Sequence, residues 1–148
     1  MQILEHQCLH LNNLISYETI VEKKRLNELI KHIIDNVNSL QLYIKDNILF
    51  TASPVNDKLN IEVLVPVTGE AHDCESYRVK SIYKLNNAVV IRHEGCLSEI
   101  EGTIDCLNQY IKNKNYQSIT APYCRIIRSD TDRDSIIDIY IGLNNNVL

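Results

Sequence analysis

The chain has 148 residues, of which 45% are hydrophobic and 23% are charged. That mix is enough for one globular domain with a continuous core, and it excludes a disordered or fibrous protein. Acidic residues outnumber basic ones 19 to 15, for a formal net charge of −4. This balance argues against direct nucleic-acid binding, because proteins that bind DNA or RNA usually present a basic face.

The sequence also bears on where the protein works. No apolar run approaches the roughly 20 residues that a membrane helix needs. The N-terminal residues 1–6 lack the basic region and apolar stretch of a signal peptide. We therefore expect a cytoplasmic protein that makes no contact with membranes.

Five cysteines are scattered along the chain, and their number is odd. In a reducing cytoplasm they are expected to be free thiols. The run His72-Asp73-Cys74 contains residue types that bind zinc, but no second pair of ligands follows at a suitable spacing. The chain also lacks a glycine-rich phosphate loop, so we expect neither a metal nor a cofactor. The cysteines are Cys8, Cys74, Cys96, Cys106 and Cys124.

The first half of the chain predicts one helix between strands. A strand is expected at His6–Leu14, and Ser16 or Thr19 is a candidate cap for the helix that follows. Two further strands, Asn47–Ala52 and Leu59–Val67, flank a turn-forming Ser-Pro-Val-Asn-Asp segment. Apolar residues at spacings of three and four mark the helix. They are Leu26, Leu29, Ile30, Ile33, Ile34, Val37 and Leu40.

The second half follows a similar order. Strands are predicted at Tyr77–Tyr83 and Ala88–His93, joined around Asn86 and Asn87. Ser98-Glu99-Ile100-Glu101 has the pattern of a capping box, which begins a second helix. The apolar face of this helix comprises Ile100, Ile104, Leu107 and Ile111. The last two strands, Tyr123–Arg128 and Ser135–Leu143, flank the polar segment 129–134, where Asp130–Asp134 is expected to form a hairpin turn.

These two halves contain an internal repeat. Ile61–Val67 can be placed over Ile137–Leu143 with an offset of 138 − 62 = 76 residues. One strand–helix–hairpin unit cannot close a core alone, but two can share one antiparallel sheet. The predicted fold is therefore α+β, a single domain over residues 1–148 with pseudo-repeats at roughly 5–67 and 86–143. Both helices cover one face of the sheet, and the opposite face is concave.

Several short segments resemble a known family. Ala88–Gly95, followed by a capped helix, resembles the "strand, His-x-Gly, helix" segment of GyrI-like domains, the effector-binding domains of multidrug-responsive regulators. Asn60–Val67 and Asp138–Leu143 are similar to the acid-bearing strands of that family, and Ala121-Pro122-Tyr123 also fits. The chain most resembles short stand-alone members from Gram-positive bacteria, some encoded near type VII secretion toxin loci. It departs from the family in having Asp138 in place of Glu, Gly142 in place of Pro, and no Trp.

Two acids are the first candidates for a binding site. Side chains alternate along a strand, so Glu62 and Asp138 point away from the β-branched residues beside them. If those β-branched residues pack under the helices, both acids enter the concave face. There they could pair with a cationic ligand, as the acid of the resembled family does with lipophilic drugs. The alternative is that each acid simply belongs to the wet face of a half-buried strand.

Aromatic side chains are the second group of candidates. The chain has eight Tyr, one Phe and no Trp, and a tyrosine supplies flat apolar area with a hydroxyl that can orient a ligand. Phe50, Tyr83, Tyr123 and Tyr140 are expected to line the concave face. Tyr140 is the strongest of them because it shares a strand face with Asp138. No catalytic residue is assigned.

Together these observations predict a binding domain for a small amphipathic or cationic ligand, in a sensing, buffering or accessory role. The chain leaves no room for a DNA-reading helix-turn-helix, so a stand-alone domain is expected. The resemblance leaves two alternatives: a protein-interaction accessory or inhibitor, similar to a gyrase inhibitor or associated with type VII secretion, and a small-molecule hydrolase. The partner is thus a small molecule or another protein, and exposed edge strands are compatible with a homodimer.

Overall fold

The computed structural model describes residues 2–131 and 134–144, with the backbone alone at residues 130 and 131. It contains two helices and seven strands in this part of the chain, which confirms the predicted α+β class. Neither helix combines the length and hydropathy needed to cross a bilayer. The predicted turn at Asp130–Asp134 lies partly outside the described residues. The elements are β1 (Ile3–Val21), α1 (Leu26–Ser39), β2 (Tyr43–Ile44), β3 (Leu49–Val55), β4 (Lys58–Thr68), β5 (Arg78–Gly95), α2 (Ile100–Asn113), β6 (Tyr123–Thr131) and β7 (Asp134–Gly142).

The chain divides into two compact units. The central unit comprises residues 11–83, and the terminal unit comprises residues 1–10 together with 84–148. Strands β1 and β5 each contribute residues to both units. The single domain over 1–148 and the pseudo-repeats remain predictions.

In the central unit, β4 is the strand on which the others pair. It is antiparallel to β1 from Leu14↔Pro66 to Val21↔Leu59, and to β3 along the whole of β3. The short β2 pairs with its end, at Val67 and Thr68. The predicted apolar face of α1 is confirmed at Leu26, Ile30, Ile33 and Val37, which the helix buries. Leu29 and Ile34 are only half-buried, and Leu40 lies beyond the end of the helix and is exposed.

In the terminal unit, β7 lies between β5 and β6. It is antiparallel to β5 from Ala88↔Gly142 to Gly95↔Ser135, and to β6 with irregularities after Ile126 and after Ser129. Helix α2 buries Leu107 and Ile111 as predicted. It also buries Thr103, whereas the predicted face residues Ile100 and Ile104 are only half-buried.

The predicted caps of both helices are wrong, although the second helix begins within two residues of its predicted start. Ser16 and Thr19 lie within β1, which extends to Val21, so neither can cap α1. Ser98, the predicted cap of the second helix, lies inside a 3-10 turn instead. A turn of 3-10 helix occupies residues 97–99, and α2 then begins from Glu99 without a side-chain hydrogen bond at its cap. This 3-10 turn satisfies a backbone group that a cap would otherwise serve, since the Glu99 N–H donates to the Cys96 carbonyl at 3.1 Å.

Two strand boundaries also differ from the prediction. The expected break at Asn86 and Asn87 is absent, and β5 is continuous over 18 residues. The Asn87 carbonyl accepts a hydrogen bond from the Leu143 N–H at 2.8 Å, which holds the backbone extended there. The predicted five-residue turn after Ala52 is also shorter than expected. Strand β3 continues through Ser53, Pro54 and Val55, so the turn to β4 consists of Asn56 and Asp57 alone. Asn56 has a φ of +58°, a conformation that asparagine tolerates in tight turns.

Candidate functional site

The sheet of the terminal unit has one apolar face and one polar face. Ile137, Ile139 and Ile141 on β7 are at most 1% exposed. Residues directly opposite each other in an antiparallel pair share a face. Arg92 pairs with Asp138, and Val90 pairs with Tyr140. The predicted alternation on this strand is therefore confirmed, with Asp138 and Tyr140 on the face away from the isoleucines.

Asp138 is held by a guanidinium. Arg92 Nε donates to Asp138 Oδ1 at 2.8 Å, and Arg92 Nη2 donates to Asp138 Oδ2 at 3.0 Å. Such two-bond pairs fix geometry as well as charge. The pKa of Arg92 is raised by these hydrogen bonds and by the charge of Asp138. The Asp138 side chain is only 14% exposed, so both of its oxygens are oriented by the protein before any ligand arrives.

A buried histidine fixes α2 against β5. His93 Nε2 lies 2.7 Å from the Cys96 carbonyl, and His93 Nδ1 lies 2.7 Å from Thr103 Oγ1. A carbonyl only accepts, so Nε2 carries a proton, and in the neutral imidazole Nδ1 accepts from the Thr103 hydroxyl. Both side chains are buried, at 4% and 5% exposure. The first turn of α2 is thereby anchored beside the strand that carries Arg92.

The N-terminal part of β1 contacts the end of α2 through one carboxylate. The Tyr110 hydroxyl donates to Glu5 Oε2, and the Tyr116 hydroxyl donates to Glu5 Oε1 at 2.6 Å. These hydrogen bonds hold the pKa of Glu5 below its usual value. His6 has a φ of +58°, which interrupts the alternation of side chains along the strand. Leu4 and Gln7, three residues apart, consequently line the same cavity.

A cavity of about 1000 Å³ lies within the terminal unit. Its walls come from the start of β1, from β5, from the first turn of α2 and from β7. Of the six predicted site residues, Asp138 and Tyr140 line it. The other lining residues are Gln2, Leu4, Gln7, Val90, Arg92, His93, Glu94, Glu99, Gly102 and Thr103.

The charges around the cavity are mainly negative. Glu94, Glu99 and Asp138 contribute three carboxylates, against the single guanidinium of Arg92. The formal sum of these four charges is −2 when His93 is neutral. Since Arg92 already pairs with Asp138, the carboxylates of Glu94 and Glu99 carry the excess. A second guanidinium lies nearby but does not line the cavity: Arg125 Nη1 donates a hydrogen bond to the Tyr140 hydroxyl at 3.4 Å.

Glu62 belongs to the central unit. Its Oε2 accepts hydrogen bonds from Ser16 Oγ and from Lys80 Nζ, both at 2.7 Å. It pairs across the sheet with Glu18 on one side and Thr51 on the other. Like Asp138, it is thus a mostly buried acid already neutralised by a side chain of its own unit.

The predicted aromatic residues are dispersed. The structure corrects the prediction for Phe50, which is 3% exposed and pairs with Val63. The register places Thr51, not Phe50, opposite Glu62, so Phe50 is a core residue. Tyr83 is half-buried on β5 in the central unit. Tyr123 is half-buried opposite Tyr140 on β6, and it is not among the residues that line the cavity.

Several cavity residues were not predicted. Arg92, His93 and Glu94 all lie in the segment that carries the family resemblance, yet none was assigned a role. A register for β5 against β7 would have placed Arg92 opposite Asp138, and that register was the missing information. Gln2, Leu4 and Glu99 have no sequence signal of their own, because their place in the cavity depends on contacts between distant segments.

No metal site accompanies the cavity. Within residues 2–131 and 134–144, no three His, Cys, Asp or Glu side chains are grouped so as to hold a metal ion. The five cysteines are free. Cys124 is buried in the sheet, and burial raises the pKa of its thiol to about 12, so it is a poor nucleophile.

A protein-family model covers nearly the whole chain. The model described as "Domain of unknown function (DUF5085)" matches residues 10–145. The chain belongs to this family. A search of the curated proteins finds no match for this DUF5085 chain.

Solved structures share the fold of the DUF5085 chain at low sequence identity. The EcmrR–DNA complex matches with a TM-score of 0.80 at 13% identity, over 96% of this chain and 57% of that chain. The crystal structure of the EcmrR C-terminal domain matches with a TM-score of 0.74 at 14% identity, over 97% and 99%. The structure of SAV2435 bound to tetraphenylphosphonium matches with a TM-score of 0.53 at 13% identity, over 97% and 93%. The DUF5085 chain therefore has the fold of the EcmrR C-terminal domain and spans 57% of the longer EcmrR chain.

Proposed function

We propose that this chain is a GyrI-like effector-binding domain whose cavity in the terminal unit takes a small amphipathic cation. The observation that carries the proposal is the cavity of about 1000 Å³ itself, which is at the upper end of the size range of sites for drug-sized molecules. Its lining combines apolar surface from Leu4 and Val90, the ring of Tyr140 and a group of carboxylates. An amphipathic ligand needs both kinds of surface.

The sign of the ligand charge follows from the lining. Three carboxylates against one guanidinium favour a cation by simple attraction, and the partial shelter of a cavity strengthens that attraction relative to open water. Asp138 was expected to pair directly with the cation, and its proposed role is now an indirect one. Because Arg92 holds both of its oxygens, Asp138 contributes to the negative potential, while Glu94 and Glu99 are the carboxylates available for direct contact. The solved complex of SAV2435 with the lipophilic cation tetraphenylphosphonium supports this class of ligand.

The same geometry argues against Asp138 and Tyr140 as a catalytic pair. As a general base, Asp138 would need a carboxylate oxygen that is open toward the substrate. Asp138 would have to leave Arg92 before it could accept a proton, and the Tyr140 hydroxyl already accepts from Arg125. We therefore propose a sensing, buffering or accessory role in which the domain reports or holds its ligand without changing it.

The test is a titration with tetraphenylphosphonium and, as a neutral analogue of similar shape, triphenylphosphine oxide. A ligand that binds only the folded state raises the melting temperature as its concentration rises. We expect the cation to do so and the neutral compound to have a smaller effect. Calorimetric titration should give cation affinity that is weakened roughly tenfold in Asp138→Asn, because the cavity loses one of its negative charges.

Glu62→Gln is the matched control for this experiment. It also replaces a mostly buried, paired acid by its amide, but in the central unit, and it should leave cation affinity unchanged. Absence of binding by tetraphenylphosphonium and by a panel of other lipophilic cations would contradict the proposal. If cation affinity is lost in Glu62→Gln and kept in Asp138→Asn, the ligand binds outside this cavity.

A further inference from the structure

One glycine in the cavity wall has no structural explanation in the fold. Gly102 is the third residue of α2, and glycine is the least favourable residue in a helix after proline. Its φ lies outside the left-handed range that requires glycine, and a Cβ built on it meets no atom within 4 Å. Neither backbone conformation nor close packing therefore accounts for this residue.

The space beside Gly102 is the cavity. Gly102 lines it together with Glu99 and Thr103, which lie three residues before and one after it. Residues i and i+3 of a helix share a face, so the Glu99 carboxylate and the bare Gly102 backbone are neighbours on the cavity wall. The hydrogen bond from Thr103 to His93 keeps this part of the helix in place. The result is a stretch of helix backbone without a side chain, held in place, with a carboxylate beside it.

We infer that Gly102 determines which ligands the cavity accepts, by letting a flat aromatic ring lie against the bare backbone of α2 while its cationic group pairs with Glu99. This inference rests on the proposed function and narrows its ligand class to planar aromatic cations. A ring needs approach to within van der Waals distance of the helix, and any side chain at position 102 would occupy that space. The apolar contacts of Val90 and Tyr140 supply further walls of the same cavity.

The charge of the helix start is compatible with this arrangement. The first turn of an α-helix carries partial positive charge, which alone would disfavour a cation. Glu99 and Glu101, at the start of α2, offset it. The ring therefore contacts the neutral backbone at Gly102, and the cationic group lies on the carboxylate side.

The experiment compares proflavine, a planar tricyclic cation near neutral pH, with acridine, its uncharged ring analogue, by calorimetric titration. Gly102→Leu should weaken binding of both compounds by at least roughly tenfold, since the leucine takes the place of a ring-sized apolar contact. Gly102→Ala should give a smaller loss. Glu99→Gln should weaken the binding of proflavine and leave the binding of acridine unchanged, because only the cation pairs with the carboxylate.

Asn108→Leu is the control for the added leucine. Asn108 is an exposed position of the same helix that does not line the cavity, so this variant should bind both compounds like the wild type. The Gly102 variants should melt at or above the wild-type temperature, and Glu99→Gln at most a few degrees below it because α2 loses a favourable charge at its start; loss of the site is thereby separated from loss of the fold.

The outcomes separate the two proposals. Wild-type affinity retained by Gly102→Leu would overturn the role of Gly102 and leave the proposed function standing. Proflavine binding that is unaffected by Glu99→Gln would overturn the cation contact. If the wild type binds neither these compounds nor tetraphenylphosphonium, the proposed function fails, and the inference fails with it.

Discussion

Glu5 shows how a single side chain can join distant parts of this chain. It accepts hydrogen bonds from Tyr110, 105 residues away, and from Tyr116. The bond to Glu5 raises the pKa of Tyr110 from 10.0 to about 12, because ionised tyrosine could no longer donate to the carboxylate. This contact joins the N-terminal residues that line the cavity to the end of α2 and the residues after it.

The contact predicts a specific pH dependence. A phenol whose pKa is raised in the folded state contributes stability that is present below pH 10 and is lost as the pH rises toward about 12. Glu5→Gln removes the carboxylate but keeps an acceptor of similar size. We expect this variant to ionise Tyr110 closer to pH 10, measured as tyrosinate absorbance, with Tyr110→Phe identifying the signal. An unchanged titration curve in Glu5→Gln would show that the contact does not form in solution.

At the residue scale, the sequence predicts a site residue correctly only where the alternation of side chains along one strand determines which face it lies on. Alternation along β7 was sufficient to place Asp138 and Tyr140 together on one face. It could not show that Arg92 already neutralises Asp138, since that depends on the register between β5 and β7. Phe50 was misplaced for the same reason, because its face is set by pairing with Val63.

At the scale of elements, one glycine in α2 and one in β7 differ in the space around them. Gly102 has open space around its missing Cβ. Gly142 is enclosed, and a Cβ there would lie 2.9 Å from Thr120 Cγ2 and 3.1 Å from Leu85 Cδ2. The Thr120 hydroxyl also accepts a hydrogen bond from the Gly142 N–H at 2.9 Å.

The two glycines therefore predict opposite effects of the same substitution. Gly102→Ala should raise the free energy of unfolding by about 1 kcal/mol, through improved helix propensity without a clash. Gly142→Ala should lower it by roughly 1–3 kcal/mol, because the neighbouring side chains must shift. Urea denaturation measures both values. A destabilised Gly102→Ala would mean that α2 packs more closely than this structure describes.

Helix interiors and strand cores were predictable, and so were the ends of β4 and β7 to within one residue, whereas the helix caps and the ends of β1, β3 and β5 were not. The apolar spacing of α1 and the β-branched runs of β4 and β7 are strong local signals. The predicted caps failed for two different reasons: Ser16 and Thr19 belong to β1, and Ser98 lies inside the 3-10 turn that precedes α2. The break expected at Asn86 and Asn87 failed because pairing with Leu143 keeps asparagine, a usual turn residue, in an extended strand.

At the scale of the whole molecule, the connection between the two units is covalent and continuous through secondary structure. β1 has residues 3–10 in the terminal unit and 11–21 in the central unit, and β5 has residues 78–83 in the central unit and 84–95 in the terminal one. A strand that loses its partners at one end loses support along its length. Two strands of this kind favour unfolding of the chain as one cooperative system.

This predicts a single unfolding transition that responds to changes in either unit. Leu64 in the central unit and Ile139 in the terminal unit are both fully buried, so Leu64→Ala and Ile139→Ala should each lower stability by roughly 2–5 kcal/mol. Both variants should shift the same transition by calorimetry and by circular dichroism, with equal van't Hoff and calorimetric enthalpies. Two transitions, with each variant moving only one of them, would instead show that residues 11–83 and the terminal unit fold independently. A ligand in the cavity of the terminal unit could then stabilise only its own half, whereas in the cooperative chain it stabilises the whole.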